Sequence, residues 1–162
     1  VSLDVKQASI KPSRKKGWES YQQKQFNAST KEYDLVTKYK KVHYNEFFGT
    51  NSVSLTVEYK LISTETGEIL KTNLISETLE DEVWYITYDA NTKNLLSGSW
   101  SNKLINSDTD VINTSYNDRR QIQNLLKANR KLISTEELKN TALKNVSGQS
   151  VNEINAYNPE ED

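Results

Sequence analysis

Residues 53–70 carry the pattern that most narrows what this chain folds into. Val53, Leu55, Val57, Tyr59 and Leu61 recur at every second position, Ser63-Thr64-Glu65-Thr66-Gly67-Glu68 is polar and contains a glycine, and apolar sequence resumes at Ile69-Leu70. Successive side chains of a strand point to opposite faces, so a period of two is what a half-buried strand needs, and a polar turn with Gly reverses the chain. The core is therefore expected to be an antiparallel sheet.

Composition sets the scale of that core. At 162 residues, 35% of them hydrophobic, the chain suits one domain with a modest sheet and helices laid on it. Lys and Arg number 21 against 22 Asp and Glu, so global charge provides no reason to seek nucleic acid, and none is expected as a partner. No run approaches the roughly 18 apolar residues of a membrane span. The absence of Cys removes disulfides, thiol nucleophiles and thiolate metal sites together. The absence of Met means that Val1 is not a translation start, and a leader, an anchor or a preceding segment is expected upstream, a removed signal peptide being the simplest form of it and an arbitrary boundary the alternative. Three N-x-S/T matches, at Asn27, Asn113 and Asn145, are what an Asn-, Ser- and Thr-rich chain produces by chance.

Along the chain, residues 1–10 read as a first strand with Val1, Leu3 and Val5 on one face, ended by Pro12. Residues 11–32, basic around Gly17-Trp18 and without sustained periodicity, read as a long excursion with a short helix near Trp18 to Gln25. A strand from Tyr33 to Phe48, a turn at Phe47-Phe48-Gly49-Thr50-Asn51, a strand from Ser52 to Ile62 and one from Glu68 to about Ile75 form a meander. Glu77 to Glu82 reads as an acidic connector and Val83 to Tyr88, aromatic and β-branched, as a further strand. Residues 89–114 are loop-like, with a short strand at Gly98-Ser99-Trp100 and a polar turn at Asp108-Thr109-Asp110; long irregular segments are where binding often resides.

The last third changes to helical spacing. Ile122, Leu125 and Leu126 follow candidate N-caps at Ser115, Asn117 or Asp118, giving a helix over about 117–129. Ser134-Thr135-Glu136-Glu137 is a capping box that opens a second helix, with Leu138, Ala142, Val146, Val151 and Ile154 as its buried stripe and Gly148 as its weak point. Strands first and helices last read as α+β: an antiparallel or mixed sheet of about five strands with two C-terminal helices packed on it, in a single domain over 1–158 followed by an acidic tail over 159–162.

No constellation specifies a reaction. His43 is the sole histidine and sits within a strand, where a general base needs a cleft and a partner and a thiolate-free metal site needs further imidazoles. Glu77, Glu80, Asp81 and Glu82 lack the spacing of a Ca²⁺ loop, as do Asp108, Asp110 and Asp118. No phosphate-binding Gly loop, nucleophile elbow or metalloprotease helix is present, so no cofactor or metal is expected and the chain reads as a non-enzyme. Trp84 and Tyr85 point to opposite faces of a regular strand, so at least one marks an interaction surface unless the sheet is covered on both sides. Trp84, Tyr85, Trp100 and Trp18 are the candidate partner-binding anchors, the basic residues 11–24 a candidate contact for phosphate or anionic lipid.

The run Val53-Ser54-Leu55-Thr56-Val57-Glu58-Tyr59-Lys60-Leu61-Ile62-Ser63-Thr64-Glu65-Thr66-Gly67-Glu68-Ile69-Leu70 resembles a strand pair in envelope lipoproteins related to the curli-secretion lipoprotein and the TolB N-terminal domain, and the helix over Leu138 to Asn158 is similar to their closing helix. The whole chain is also similar to uncharacterised mature lipoproteins of Bacteroidota envelopes. The resemblance implies an extracytoplasmic domain, in the periplasm or at the outer membrane of a Gram-negative bacterium, anchored through a lipidated Cys upstream of Val1 rather than through this segment. It implies an envelope protein or outer-membrane complex as partner; the excursion at 11–32 and the loop at 89–114 depart from the family pattern. The expected function is docking within such a complex, with a carbohydrate-binding module on the same aromatics as the alternative, and a hydrolase using the carboxylates at 77–82 third.

Overall fold

In the computed structural model, which describes residues 1–157, the alternating stretch belongs to a strand much longer than its own pattern. Six strands pair as one antiparallel sheet: β1 (Ser2–Lys6), β2 (Ser13–Asn27), β3 (Glu32–Ile62), β4 (Ile69–Thr87), β5 (Leu95–Ser99) and β6 (Val111–Ile112). Two helices close the order, α1 (Tyr116–Lys127) and α2 (Thr135–Asn155), so the class is α+β. The sheet runs β1-β3-β2-β5-β6, with β4 also paired to β3. The expected turn at 63–68 is present: the Ser63 amide donates to Glu68 O, the Gly67 amide donates to Ser63 O, and Gly67 has φ of +74°, a conformation that suits a residue without Cβ.

The chain divides into two compact units, with two of the divisions falling inside β3 and β4 and two in the segments after β1 and after α1. The first unit comprises 1–9, 49–82 and 131–157 of the described residues. Its core is Val53, Leu55 and Ile75 from the sheet beneath Leu138, Ala142 and Val146 of α2, with Val57, Tyr59 and Leu79 at the margin. Fully burying a Val or Leu contributes about 1.5–3 kcal/mol, which makes this small apolar stripe the principal stabiliser of the helix. Ser134 caps α2 by accepting the Glu137 amide at 3.1 Å. The expected stripe is buried only as far as Val146, because Val151 and Ile154, five and eight residues further on, rotate away from it and are exposed. At 3.6 residues per turn the sheet-facing position passes instead to Ser150 and Glu153, and the Glu153 carboxylate accepts the Tyr59 hydroxyl at 2.5 Å and the Asn73 side-chain amide.

The second unit comprises 10–48 and 83–130. Here β2 pairs with β3 over its whole length, from Ser13 opposite Glu46 to Asn27 opposite Glu32, and the turn between them holds Lys31 at φ of +60°. One cluster joins Ile86, Leu95 and Ile122 of α1, flanked by Val42 and Tyr44; a second joins Trp18, Leu96 and Trp100. Gly98 is required where β5 meets β6, since a Cβ there would lie 2.1 Å from Val111 O.

Three sequence expectations change. Residues 13–27 are a strand, with no helix near Trp18; apolar periodicity is missing because 21–26 are exposed on both faces and the backbone ladder alone specifies the strand. No turn interrupts 47–51: Gly49 is buried in the middle of β3, and Asn51 accepts the Ala8 amide and donates to Ile133 O, both at 2.8 Å. Glu77 to Glu82 is no connector but part of β4, in which Ile75, Glu77, Leu79, Asp81 and Val83 occupy one face. The expected acidic tail over 159–162, with Asn158, lies outside the described residues.

Two substitutions on α2 are expected to act in opposite directions. Gly148 has open space where a Cβ would stand, so Gly148→Ala stabilises by roughly 0.5–1 kcal/mol. Ala142 is 0% exposed beneath the helix, so Ala142→Leu overpacks the site and destabilises by about 1–3 kcal/mol. Urea midpoints of the two variants check both signs.

Candidate interaction surface

The four aromatic anchors expected from the sequence occupy two different environments. Trp18 and Trp100 are buried, at 5% and 6% exposure, and their indole N–H groups donate to Val111 O and Gly17 O. Their rings belong to the core, because this polar chain has few other apolar groups large enough to fill the space between β2, β5 and the loop that follows. Tyr85 is partly buried, stacked on Phe47 at 4.7 Å between ring centroids, with the Arg130 guanidinium over its other neighbourhood at 5.6 Å. Trp84 is 42% exposed and donates to Glu46 Oε1. Trp84 and Tyr85 therefore stand on opposite faces, and the structure brings together Trp18 with Trp100 only.

The irregular segment is pinned from within. Lys41, on β3, is buried and uses all three ammonium N–H groups: Asp110 Oδ2 at 2.6 Å, Asn102 O at 2.8 Å and Ile105 O at 2.7 Å. Its charge also lies 5.4 Å from the centroid of the Trp18 ring. Asp110 in turn accepts the Ser101 and Ser107 amides, so one ion pair closes both ends of the loop. Held this way, the loop exposes Leu104 (93%) and Ile105 (65%).

The carboxylates at 77–82 do not converge. Strand alternation places Glu77 and Asp81 on one face and Glu80 and Glu82 on the other. Glu77 accepts the Asn145 side-chain amide and Asp81 accepts the Ile133 amide. Among the described residues no group of three or more His, Asp or Glu side chains is arranged to hold a metal ion. Glu19, buried beneath α1's side of the sheet, keeps its charge at lower pH than usual: burial opposes ionisation, but the Tyr88 hydroxyl and Lys40 outweigh it.

Sequence reasoning missed the surface that the hairpin between β2 and β3 presents. Phe26 lies opposite Tyr33 and Lys24 opposite Leu35 in the register, so Phe26, Tyr33 and Leu35 share one face. They are 55%, 69% and 67% exposed, and the Phe26 and Tyr33 rings meet edge to face at 5.4 Å. β5 pairs only with Gly17, Trp18 and Glu19 of β2, leaving the outer edge of β2 from Ser20 to Asn27 unpaired. Opposite, Tyr85 stacks on Phe47 and β4 ends at Thr87, so among the described residues the far part of β3 has β2 as its sole strand neighbour. The alternation Tyr33, Leu35, Thr37, Tyr39 was the available signal; what hid it was the polar partner segment from Ser20 to Asn27, whose apolar contribution to that face is Phe26 alone.

His43 stands near the base of the same ribbon, edge to face with Trp100 at 4.9 Å. Arg14 Nη2 lies 3.2 Å from His43 Nδ1, and because a guanidinium only donates, Nδ1 accepts and the neutral ring carries its proton on Nε2. Partial burial first, then the charges of Arg14, Lys103 and Lys16, hold His43 below its ordinary value of 6.5.

No protein-family model, curated protein or solved structure matches this chain.

The Lys41 pair makes a pH prediction. The hydrogen bond from Lys41 holds the Asp110 carboxyl below its ordinary 3.8, despite desolvation in the other direction, with the Ser107 and Ser101 amides adding to the effect. A depressed carboxyl contributes stability that is fully present above its unfolded value and is lost as pH falls through the folded one. The thermal midpoint of the wild type is thus expected to drop below pH 3.8 more steeply than that of Asp110→Asn, which starts several degrees lower at neutral pH. Parallel melts across that window check it.

Proposed function

We propose that this chain is a non-enzymatic docking domain of the cell envelope, a subunit that engages a protein partner of an outer-membrane complex. The observation that supports the reading is the ribbon formed by residues 20–27 and 32–38. It combines an unpaired strand edge with an exposed apolar face of Phe26, Tyr33 and Leu35. A half-apolar antiparallel ribbon normally buries that face, and an open edge normally acquires a partner or is blunted by charge. Recognition of this kind adds an extended partner segment to the edge: main-chain hydrogen bonds supply affinity and the apolar side chains supply selectivity. The flanking Lys24 and Lys38 oppose pairing between two copies of the same edge. Of the anchors read from the sequence, Trp84 keeps an exposed ring, while burial of Trp18 and Trp100 leaves them to support the ribbon's base.

The test compares native pull-downs from solubilised envelopes using the full-length protein and its Phe26→Ser, Tyr33→Ser, Leu35→Ser triple variant. These side chains are exposed, so the variant is expected to keep its unfolding free energy to within about 1 kcal/mol while losing a stoichiometric partner at least tenfold. Equal recovery of that partner by both baits overturns the ribbon as the docking element, and recovery of the bait alone in both removes the docking reading.

A further inference from the structure

A groove of about 520 Å³ runs beside the open edge of β2, lined by Arg14, Lys15, Lys16, Tyr44, Ser97, Gly98, Ser99, Val111 and Asn113. Arg14 and Lys16 from one face of β2 and Lys15 from the other line it together with Tyr44, Ser97, Ser99 and Asn113, and no carboxylate is among its lining residues. The register explains the opening: β5 reaches only to Gly17, so residues 13–16 of β2 have no β5 partner on that edge. The polar wall is braced, because Asn113 donates through its backbone amide to Ser97 O and through its side chain to Ser97 Oγ, both at 3.0 Å. Lys16 is braced as well, with Nζ 2.7 Å from Trp100 O and 4.8 Å from the Trp100 ring centroid, which leaves further N–H groups to donate.

We propose that this groove is a binding site for a phosphate-type oxyanion. A tetrahedral group with several negative oxygens needs donors from several directions, and the Arg14 guanidinium, the Lys16 ammonium and the Ser97 and Ser99 hydroxyls supply them. Glu46 pairs with the groove's own Lys15 at 3.4 Å, so an anion bound there competes with this carboxylate for that ammonium, while Asp110 pairs with Lys41 and Asp89 lies in an adjoining cavity of about 350 Å³ shared by Arg14 and His43. Arg14 thus lines both spaces and touches the chain's sole histidine, which makes that ring a reporter of occupancy. The groups facing His43 are Arg14 and Lys16 from β2, Lys103 and Trp100 from the following loop, and Asp89 across the cavity. An anion in the groove offsets the cationic field at the ring and raises the His43 pKa.

The phosphate has two chemical sources, a soluble compound or a lipid headgroup. The second is worth an arm of the experiment because Lys103 is followed directly by the exposed Leu104 and Ile105, an apolar tip beside basic groups. Histidine Cε1–H resonances of the full chain are followed through a pH titration in inorganic phosphate and in chloride at equal ionic strength. In parallel, flotation is measured with vesicles containing phosphatidylglycerol and with vesicles of phosphatidylcholine alone. A saturable displacement of the His43 signal and a higher pKa in phosphate are expected, with affinity at least tenfold weaker in Lys15→Gln/Lys16→Gln. Flotation specific to the anionic vesicles and lost in Leu104→Ser, with phosphate binding unchanged, assigns the headgroup; phosphate binding without flotation assigns a soluble ligand. Superimposable titrations in the two salts together with no flotation overturn the site, as does a phosphate response that the double variant leaves intact. The pull-down experiment on the ribbon is independent of this result.

Discussion

Backbone pairing along β3 is the interaction on which the rest depends. β1, β2 and β4 all hydrogen-bond to this one strand, and each of the two compact units contains a part of it. A strand of 31 residues satisfies its main-chain groups only if neighbours succeed one another along its edges. That is the arrangement found: β1 opposite Ser52–Thr56, and β2 opposite Glu32–Glu46. Where succession fails, at the far ends of β2 and β3, a strand edge is left open, and the docking proposal is built on that place.

Because apolar residues are few, buried polar groups complete the packing, and each is satisfied. In the first unit Asn51 ties the Ala8 amide to Ile133 O, and Ile133 in turn donates to Asp81, so one side chain joins three separated segments. In the second, Lys41 and Asp110 close the loop after β5. Removing either partner of such an arrangement leaves the other desolvated and unpaired, which costs more than its net contribution suggests. Among the described residues no buried side-chain nitrogen or oxygen lacks a partner. The loop after β5 is therefore a braced support for Trp18 and Trp100, and its exposed tip is held in place by the same ion pair.

The docking and anion-binding proposals use different parts of the second unit and different physics. The ribbon offers unspent hydrogen bonds and apolar area; the groove offers charge. Both lie on β2, the segment whose composition looks least like a strand, and the polar character that hides its secondary structure is what leaves its donors and cations available.

How much of this was legible follows from how far each signal is local. The turn at Ser63–Glu68, the cap at Ser134, the helix around Ile122 and the α+β class were readable because turn chemistry, capping and short-range periodicity are properties of neighbouring residues. The strand at 13–27 was not, since its ladder with residues 32–46 supplies through backbone bonds what its side chains do not announce. Nor was the absence of a turn at Phe47–Asn51, where Asn51 spends its side chain on Ala8 and Ile133, residues far away in sequence. Likewise Trp18 and Trp84 are equally aromatic on paper, and only packing against Leu96 and Trp100 buries the first while the second stays at the surface. The sequence by itself determined where strands and helices have local cause to form; tertiary structure decided which edges stay open, which rings are covered and which cations face one groove, because those depend on partners brought together across the chain.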